Sequence, residues 1–198
     1  AASLNIPEPA AGVLVSRGLC DAEAAREFLA PRLNNLSDPF SLSAMNAAVD
    51  RIWDAIDRKQ RIVVYGDYDV DGVSSVALLI SVFRHLGVET QGFIPDRMAE
   101  GYGLTATALR RCLDELSPDL LVTVDCGTTA VESVAEARRQ GVDVVVTDHH
   151  QPGDELPGDI PVVNPKIAAA DGALELCGAG VAFKLCHALV KKGLRQGR

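Results

Sequence analysis

Residues 61–87 read "RIVVYGDYDVDGVSSVALLISVFRHLG", and the change of rhythm inside this stretch decides the fold. "RIVVYG" is a β-branched run closed by Gly66, too short for a buried helix and therefore a strand. "SSVALLISVFRHLG", from Ser74, has the length and apolar spacing of a helix and stops at Gly87. Between the two, Asp67, Asp69 and Asp71 stand at alternate positions. Carboxylates so close together repel one another unless a cation or a positive partner lies among them.

The strand-then-helix unit recurs. "VETQGFIP" reads as a strand and "TATALRRCLDEL" as a helix; "DLLVTVDCG" and "AVESVAEARRQG" repeat the pair. "VDVVVTDHH" and "IPVVNP" are further strands, and "GAGVAFKLCHALVKKG" is a closing helix. Strands that are nearly all apolar and alternate with such helices predict an α/β fold, a parallel β-sheet with helices on both faces. Ahead of it, residues 1–42 predict a short helical N-terminal lead-in. There Asp21 caps "AEAAREFLA", Pro31 ends the run, and "NNLSDPFSL" is a loop of turn formers. The domain of residues 43–198 opens with the helix "SAMNAAVDRIWDAIDRKQ", with Ser43 as cap and Met45, Val49, Ile52, Trp53 and Ile56 on one stripe.

The chain has 198 residues, 47% of them hydrophobic, enough to bury a sizeable core. Its net charge of −8 lowers the expectation of a nucleic-acid binder, because such domains usually present a basic face. Clustered metal-binding carboxylates would account for several of those charges. No run approaches the ~18–20 apolar residues of a membrane span, and the first residues lack the basic start and apolar run of a signal peptide. Cys20, Cys112, Cys126, Cys177 and Cys186 are odd in number, scattered and without a C-x-x-C pair. That argues against a disulfide framework or a structural zinc site and for a reducing, cytoplasmic compartment. The start without Met and the ending "KKGLRQGR" read as the boundaries of a piece of a longer chain.

In parallel sheets, ligands gather beyond the carboxyl ends of the strands. That edge collects Asp67, Asp69 and Asp71 after "RIVVYG", Asp125 after "LLVTV", and Asp148, His149 and His150 after "VDVVVT". An oxygen-rich set with some imidazole suits Mn²⁺ or Mg²⁺ rather than zinc. Two such ions ~3.5–4 Å apart form a clamp for phosphoryl transfer. Each piece also has a plainer reading. "DYDVDG" begins like a calcium loop, but position twelve is Leu78 rather than Glu and a strand precedes it. The aspartates could form a solvated turn, Asp125 could cap a helix after "CGTT", and a lone His is usually structural. The combination carries the metal reading. "EGYGL" (100–104) is either a loop before a Thr105 cap or a substrate contact. "CGAGVAF" offers free N–H groups at a helix start, where a phosphate can bind.

Together, "GDYDVDGVSS", "FIPDRMAEGYGL", "LLVTVDCGTT", "VVVTDHHQPGDELP", "VVNPK" and "CGAGVAFKL" resemble the DHH phosphoesterase superfamily, and in particular its RecJ branch of single-strand-specific DNA exonucleases. Small pyrophosphatases and cyclic-dinucleotide phosphodiesterases of the superfamily usually carry a His-containing first motif, where this chain has Tyr65. The resemblance implies two Mn²⁺ or Mg²⁺ ions held by Asp67, Asp69, Asp71, Asp125 and His149, with Asp69 and Asp71 the stronger ligands of their motif. Asp67 ligates or orients a ligand. Asp148 ligates, or holds His149 from behind, and His150 lies near the scissile phosphate. It further implies 5′→3′ exonuclease action on single-stranded DNA in repair and recombination, with a single-strand-binding protein and a helicase as partners. A fourth aspartate motif, the DHH-associated domain and an OB-fold domain are expected outside these residues. The alternatives are a phosphoesterase for short oligonucleotides or cyclic dinucleotides, and a degenerate, non-enzymatic scaffold.

Overall fold

The computed structural model describes residues 1–167 and 175–197. Packing divides the chain into Ala1–Asp38 and Pro39–Arg198. The first unit holds α1 (Glu8–Ser16) and α2 (Ala22–Leu29). Asp21 caps α2, accepting the Glu23 and Ala24 N–H groups at 2.9 Å each, and the loop beyond contains a 3₁₀ turn at Leu33–Asn35.

The second unit begins with a 3₁₀ turn at Pro39–Ser41 and α3 (Met45–Asp57). It continues through β1 (Ile62–Tyr65), α4 (Val70–His85), β2 (Thr90–Phe93), α5 (Ala106–Leu116), β3 (Leu120–Val124), α6 (Val131–Arg139), β4 (Asp143–Thr147), β5 (Val162–Val163) and α7 (Gly178–Arg195). The strands form one parallel sheet in the order β2-β1-β3-β4-β5. Alternate strand residues serve opposite faces. Ile62, Val64, Leu120, Val122, Val124 and Val145 pack with α3, α4 and α7. Val63, Tyr65, Leu121, Val144 and Val146 pack with α5 and α6. This is the two-faced α/β fold that the strand–helix alternation predicts. All five cysteines are free, and among the described residues no helix is long and apolar enough to cross a membrane.

Four details differ from the sequence reading. Ser43 does not cap α3: the N-cap is Ala44, at φ +58° in a left-handed turn, with no side-chain hydrogen bond. Helix α4 starts at Val70 rather than Ser74, because Asp69 caps it; Val70 and Val73 face solvent, so apolar periodicity could not reveal this turn. Strand β2, "TQGF", is a largely exposed edge rather than an apolar strand. Finally, α7 runs on to Arg195, with Gly193 so close under Trp53 that a Cβ would stand 2.9 Å from its ring. Arg198 lies outside the described residues.

The start of α4 is a tight joint of backbone against backbone. A Cβ at Gly72 would stand 2.5 Å from the Asp67 carbonyl oxygen and 2.7 Å from its nitrogen, and backbone cannot yield as a side chain can. Gly72→Ala should therefore cost about 1–3 kcal/mol, seen as a lower Tm by circular dichroism. Gly12→Ala, in α1 with nothing within 4 Å, should leave stability unchanged or slightly raised. Equal melting of the two variants would contradict the joint.

Candidate metal centre

Sheet register builds the site. Tyr65 pairs with Thr123, and Val124 with Thr147. Continued beyond the strand ends, this register sets Asp67, Asp125 and Asp148 in one row across β1, β3 and β4. The strand order reverses direction between β1 and β3, which is where a parallel sheet opens its crevice.

Asp125 sits at φ +61° and is buried, 1% exposed. Neither of its carboxylate oxygens has a hydrogen-bond donor. Its Oδ1 lies 3.1 Å from His149 Nε2, close but outside hydrogen-bonding geometry, and the same nitrogen is 3.7 Å from Asp71 Oδ2. Asp125 caps no helix, since α6 has Ala130 at its N-cap. Asp67 is buried as well, and both its oxygens lack donors; the Tyr68 and Gly103 amides lie near it without hydrogen-bonding geometry.

The other three carboxylates are satisfied by backbone. Asp69 Oδ1 accepts the Asp71 and Gly72 amides at 2.9 Å each. Asp71 reaches across to the start of α7, its Oδ2 accepting Gly178 N–H at 2.6 Å and its Oδ1 accepting Ala179 N–H at 2.7 Å. Those are the amides that the sequence offers to a phosphate, and here a side chain occupies them. Asp148 Oδ2 accepts Thr128 N–H at 2.9 Å, and its Oδ1 accepts the amides of His149 and His150 at 2.7 and 3.1 Å. Its ring partner is His150, with Nδ1 2.7 Å from Oδ1; it touches His149 only through the backbone amide.

His150 is held at both ring nitrogens. Its Nε2 lies 2.7 Å from the hydroxyl of Tyr102, a residue of "EGYGL". An ionised Asp148 can only accept, so Nδ1 carries a proton, and in that tautomer of the neutral ring Nε2 accepts from the tyrosine O–H. Behind this loop, Asn164 Nδ2 donates to Thr128 Oγ1 at 3.0 Å and to the His150 carbonyl at 2.9 Å. Composition and spacing do not reveal Asn164 or Tyr102 as parts of the site. "VNPK" and "EGYGL" marked where they sit, but their partners are fixed only by tertiary approach.

The charges follow from these contacts. Burial first, then the repulsion of Asp71, Asp69, Asp148 and Asp67, pushes Asp125 from an ordinary 3.8 up to about 8. Burial, joined by repulsion from Asp69, also raises Asp67. For Asp71, burial raises the pKa, but the Ala179 and Gly178 amides outweigh it and the carboxyl falls below its usual value. Asp148 behaves alike: burial is outweighed by Thr128 and His150. Two buried carboxylates without donors, beside an imidazole, are what a divalent cation would satisfy. Asp125, His149 and His150 each offer a ligand atom, all within 4.8 Å of one another. Asp71 retains lone pairs beyond its two amides and lies on the same His149 nitrogen. The residues present therefore fit a metal ion.

A model of the DHH family, N-terminal domain, matches residues 61–197. The chain belongs to the DHH family. It is 43% identical over 188 residues to the single-stranded-DNA-specific exonuclease RecJ of Bacillus subtilis (strain 168), covering 94% of this chain and 24% of that protein. Among solved structures, RecJ in complex with Mn²⁺ from Thermus thermophilus aligns at a TM-score of 0.74 and 34% identity, covering 99% of this chain and 26% of that one. RecJ in complex with Mg²⁺ from the same source aligns at 0.61 and 30%, covering 99% and 23%. The RecJ-like resemblance of the motifs is thus borne out, and the chain spans about a quarter of the length of the curated relatives it matches.

The DHH fold leaves a pH signature in metal-free protein. Asp125 is protonated in both states below ~4, but toward 8 the unfolded chain ionises while the folded one still holds its proton, so stability is lost as pH rises through that window. Asp71 and Asp148, lowered, act only in more acid solution, where their stabilisation is lost as pH falls. Chelator-treated protein should melt at a lower temperature at pH 8 than at pH 5, and Asp125→Asn should flatten that decline. Parallel pH profiles for the two proteins would contradict the charge assignment.

Proposed function

We propose that the chain is the catalytic part of a metal-dependent exonuclease that hydrolyses phosphodiester bonds of single-stranded DNA. In this reading Asp67, Asp69, Asp71, Asp125 and His149 hold two Mn²⁺ or Mg²⁺ ions, and His150, backed by Asp148, meets the scissile phosphate. Residues 43–198 are the catalytic domain and residues 1–42 a helical lead-in. The observation that carries the reading is the pair of buried, donorless carboxylates of Asp67 and Asp125 at the β1/β3 crevice, with His149 3.1 Å from the second. The donor set is oxygen-rich with imidazole, which suits the ions bound by the Thermus thermophilus relatives.

When bound, divalent ions make water nucleophilic at neutral pH and steady the charge on phosphate oxygens. The chain's own residues do the rest. Asp69 and Asp71 are fixed by helix amides, so their free lone pairs have a set direction. Asp148 holds His150 at Nδ1, so the ring would present Nε2, the nitrogen that the Tyr102 hydroxyl meets, to the phosphate. Sequence-independent grip on a single strand would rest on backbone contacts and stacking and would weaken with salt. A 5′→3′ direction and a role in repair and recombination, in the cytoplasm beside a single-strand-binding protein and a helicase, extend the reading by family resemblance.

In the full-length protein, Asp125→Asn and His149→Ala should bring nucleotide release from a single strand of ~20 nucleotides to background. His150→Ala should lower it by about 10²–10⁴-fold. Circular dichroism should show all three folded. Retained activity in Asp125→Asn would sink the site, and faster turnover of dinucleotides than of the long strand would move the substrate to short oligonucleotides.

A further inference from the structure

Tyr65 is a buried tyrosine at the end of β1, fully shielded from solvent and on the opposite face of the sheet from α4 and α7. Neither metal binding nor proton transfer uses it, and burial raises its phenol well above the ordinary value, so it stays a hydrogen-bond donor. A buried tyrosine hydroxyl needs a partner. The partner is the carbonyl of Gly103, at 2.9 Å.

Gly103 is one residue past Tyr102, the side chain that meets His150. Gly101 and Gly103 both have left-handed φ values, +81° and +74°, and this double turn projects Tyr102 outward, 49% exposed. The same loop is tied from its other end. Glu100 accepts the Asp96 amide at 2.7 Å and forms a two-pronged pair with Arg111, Nε–Oε1 2.6 Å and Nη2–Oε2 2.7 Å. The Arg111 guanidinium lies 4.2 Å from the Phe93 ring centroid, and Tyr65 stacks on the same ring at 5.2 Å. Tyr65, Phe93 and Arg111 thus form one packed latch beneath residues 100–103, made from β1, β2 and α5.

We infer that Tyr65 is a positioning residue: through Gly103 it sets the turn that places the Tyr102 hydroxyl on His150 Nε2, with Arg111 and Glu100 as the second tie of the same loop. The inference rests on the proposed role of His150 for its kinetic consequence, but not for its geometry. Asp148 fixes one side of the imidazole from β4, and the latch fixes the other side from β1 and α5. A shift of the loop by a fraction of an ångström would leave Asp148 engaged and free the ring to turn about that single bond.

Tyr65→Phe removes only the hydroxyl and keeps the ring on Phe93. In full-length protein it should lower kcat by about 10- to 100-fold, the scale of a small misplacement at a reacting centre, with KM for a single strand changed less than about twofold. Tyr102→Phe should lose at least as much, and the Tyr65→Phe/Tyr102→Phe double variant should be no slower than Tyr102→Phe alone, because both act through one contact. Arg111→Gln, on a partly exposed side chain, should fall in the same direction. Independently of activity, ¹⁵N spectra of the metal-free chain, which has four histidines, should show His150 Nε2 shifted by Tyr65→Phe toward its position in Tyr102→Phe. An unmoved Nε2 resonance, or multiplicative losses in the double variant, overturns the inference. If the wild-type protein cleaves no single strand, the nuclease reading fails, while the nitrogen spectra still decide the role of Tyr65.

Discussion

A buried carboxylate with no donor is an expensive object, and Asp125 is one. Its pKa is pushed to about 8 by burial and by four other aspartates, Asp71 foremost. Helix α7 approaches so closely that any side chain at Gly178 would overlap this carboxylate. The sheet makes the crowding unavoidable, because parallel register sets Asp67, Asp125 and Asp148 in a single row. Whatever else the domain does, it has to manage negative charge at this edge.

It does so in two ways. Asp69, Asp71 and Asp148 receive backbone amides, two from the first turn of α4, two from the first turn of α7, and three from the loops after β3 and β4. Helix N-termini favour negative charge and hold it in place. Asp67 and Asp125 receive none. This division separates carboxylates whose direction is set by backbone amides from those that no donor meets, and it explains why Asp71 and Asp148 are lowered while Asp67 and Asp125 are raised.

The sheet, its order of elements and the gathering of Asp67, Asp69, Asp71, Asp125, Asp148, His149 and His150 at one edge were legible because period-two and helical patterns are local and the strand-end rule is general. Helix boundaries set by side-chain capping were less so. The α4 start escaped because Val70 and Val73 are apolar yet exposed, and Ser43, a good cap by type, lost to a left-handed turn at Ala44. Of the two roles the sequence leaves open for Asp148, ligating a metal or holding His149, the second gives way to holding His150, since which ring turns toward the carboxylate depends on loop conformation rather than on sequence order. Tyr65 was visible only as a departure from a motif. Its hydroxyl's partner lies 38 positions away.

The glycine-rich start of α7 shows the same limit in sharper form. Its N-cap, Cys177, makes no side-chain capping bond, so by local sequence the helix has open amides. The cap is supplied by Asp71, 107 positions earlier, at 2.6 and 2.7 Å. One carboxylate therefore joins the first turns of α4 and α7, while the far end of α7 rests on Trp53 through Gly193. A phosphate could use the α7 amides only by displacing Asp71, which would return an unsatisfied charge to the row beside Asp125.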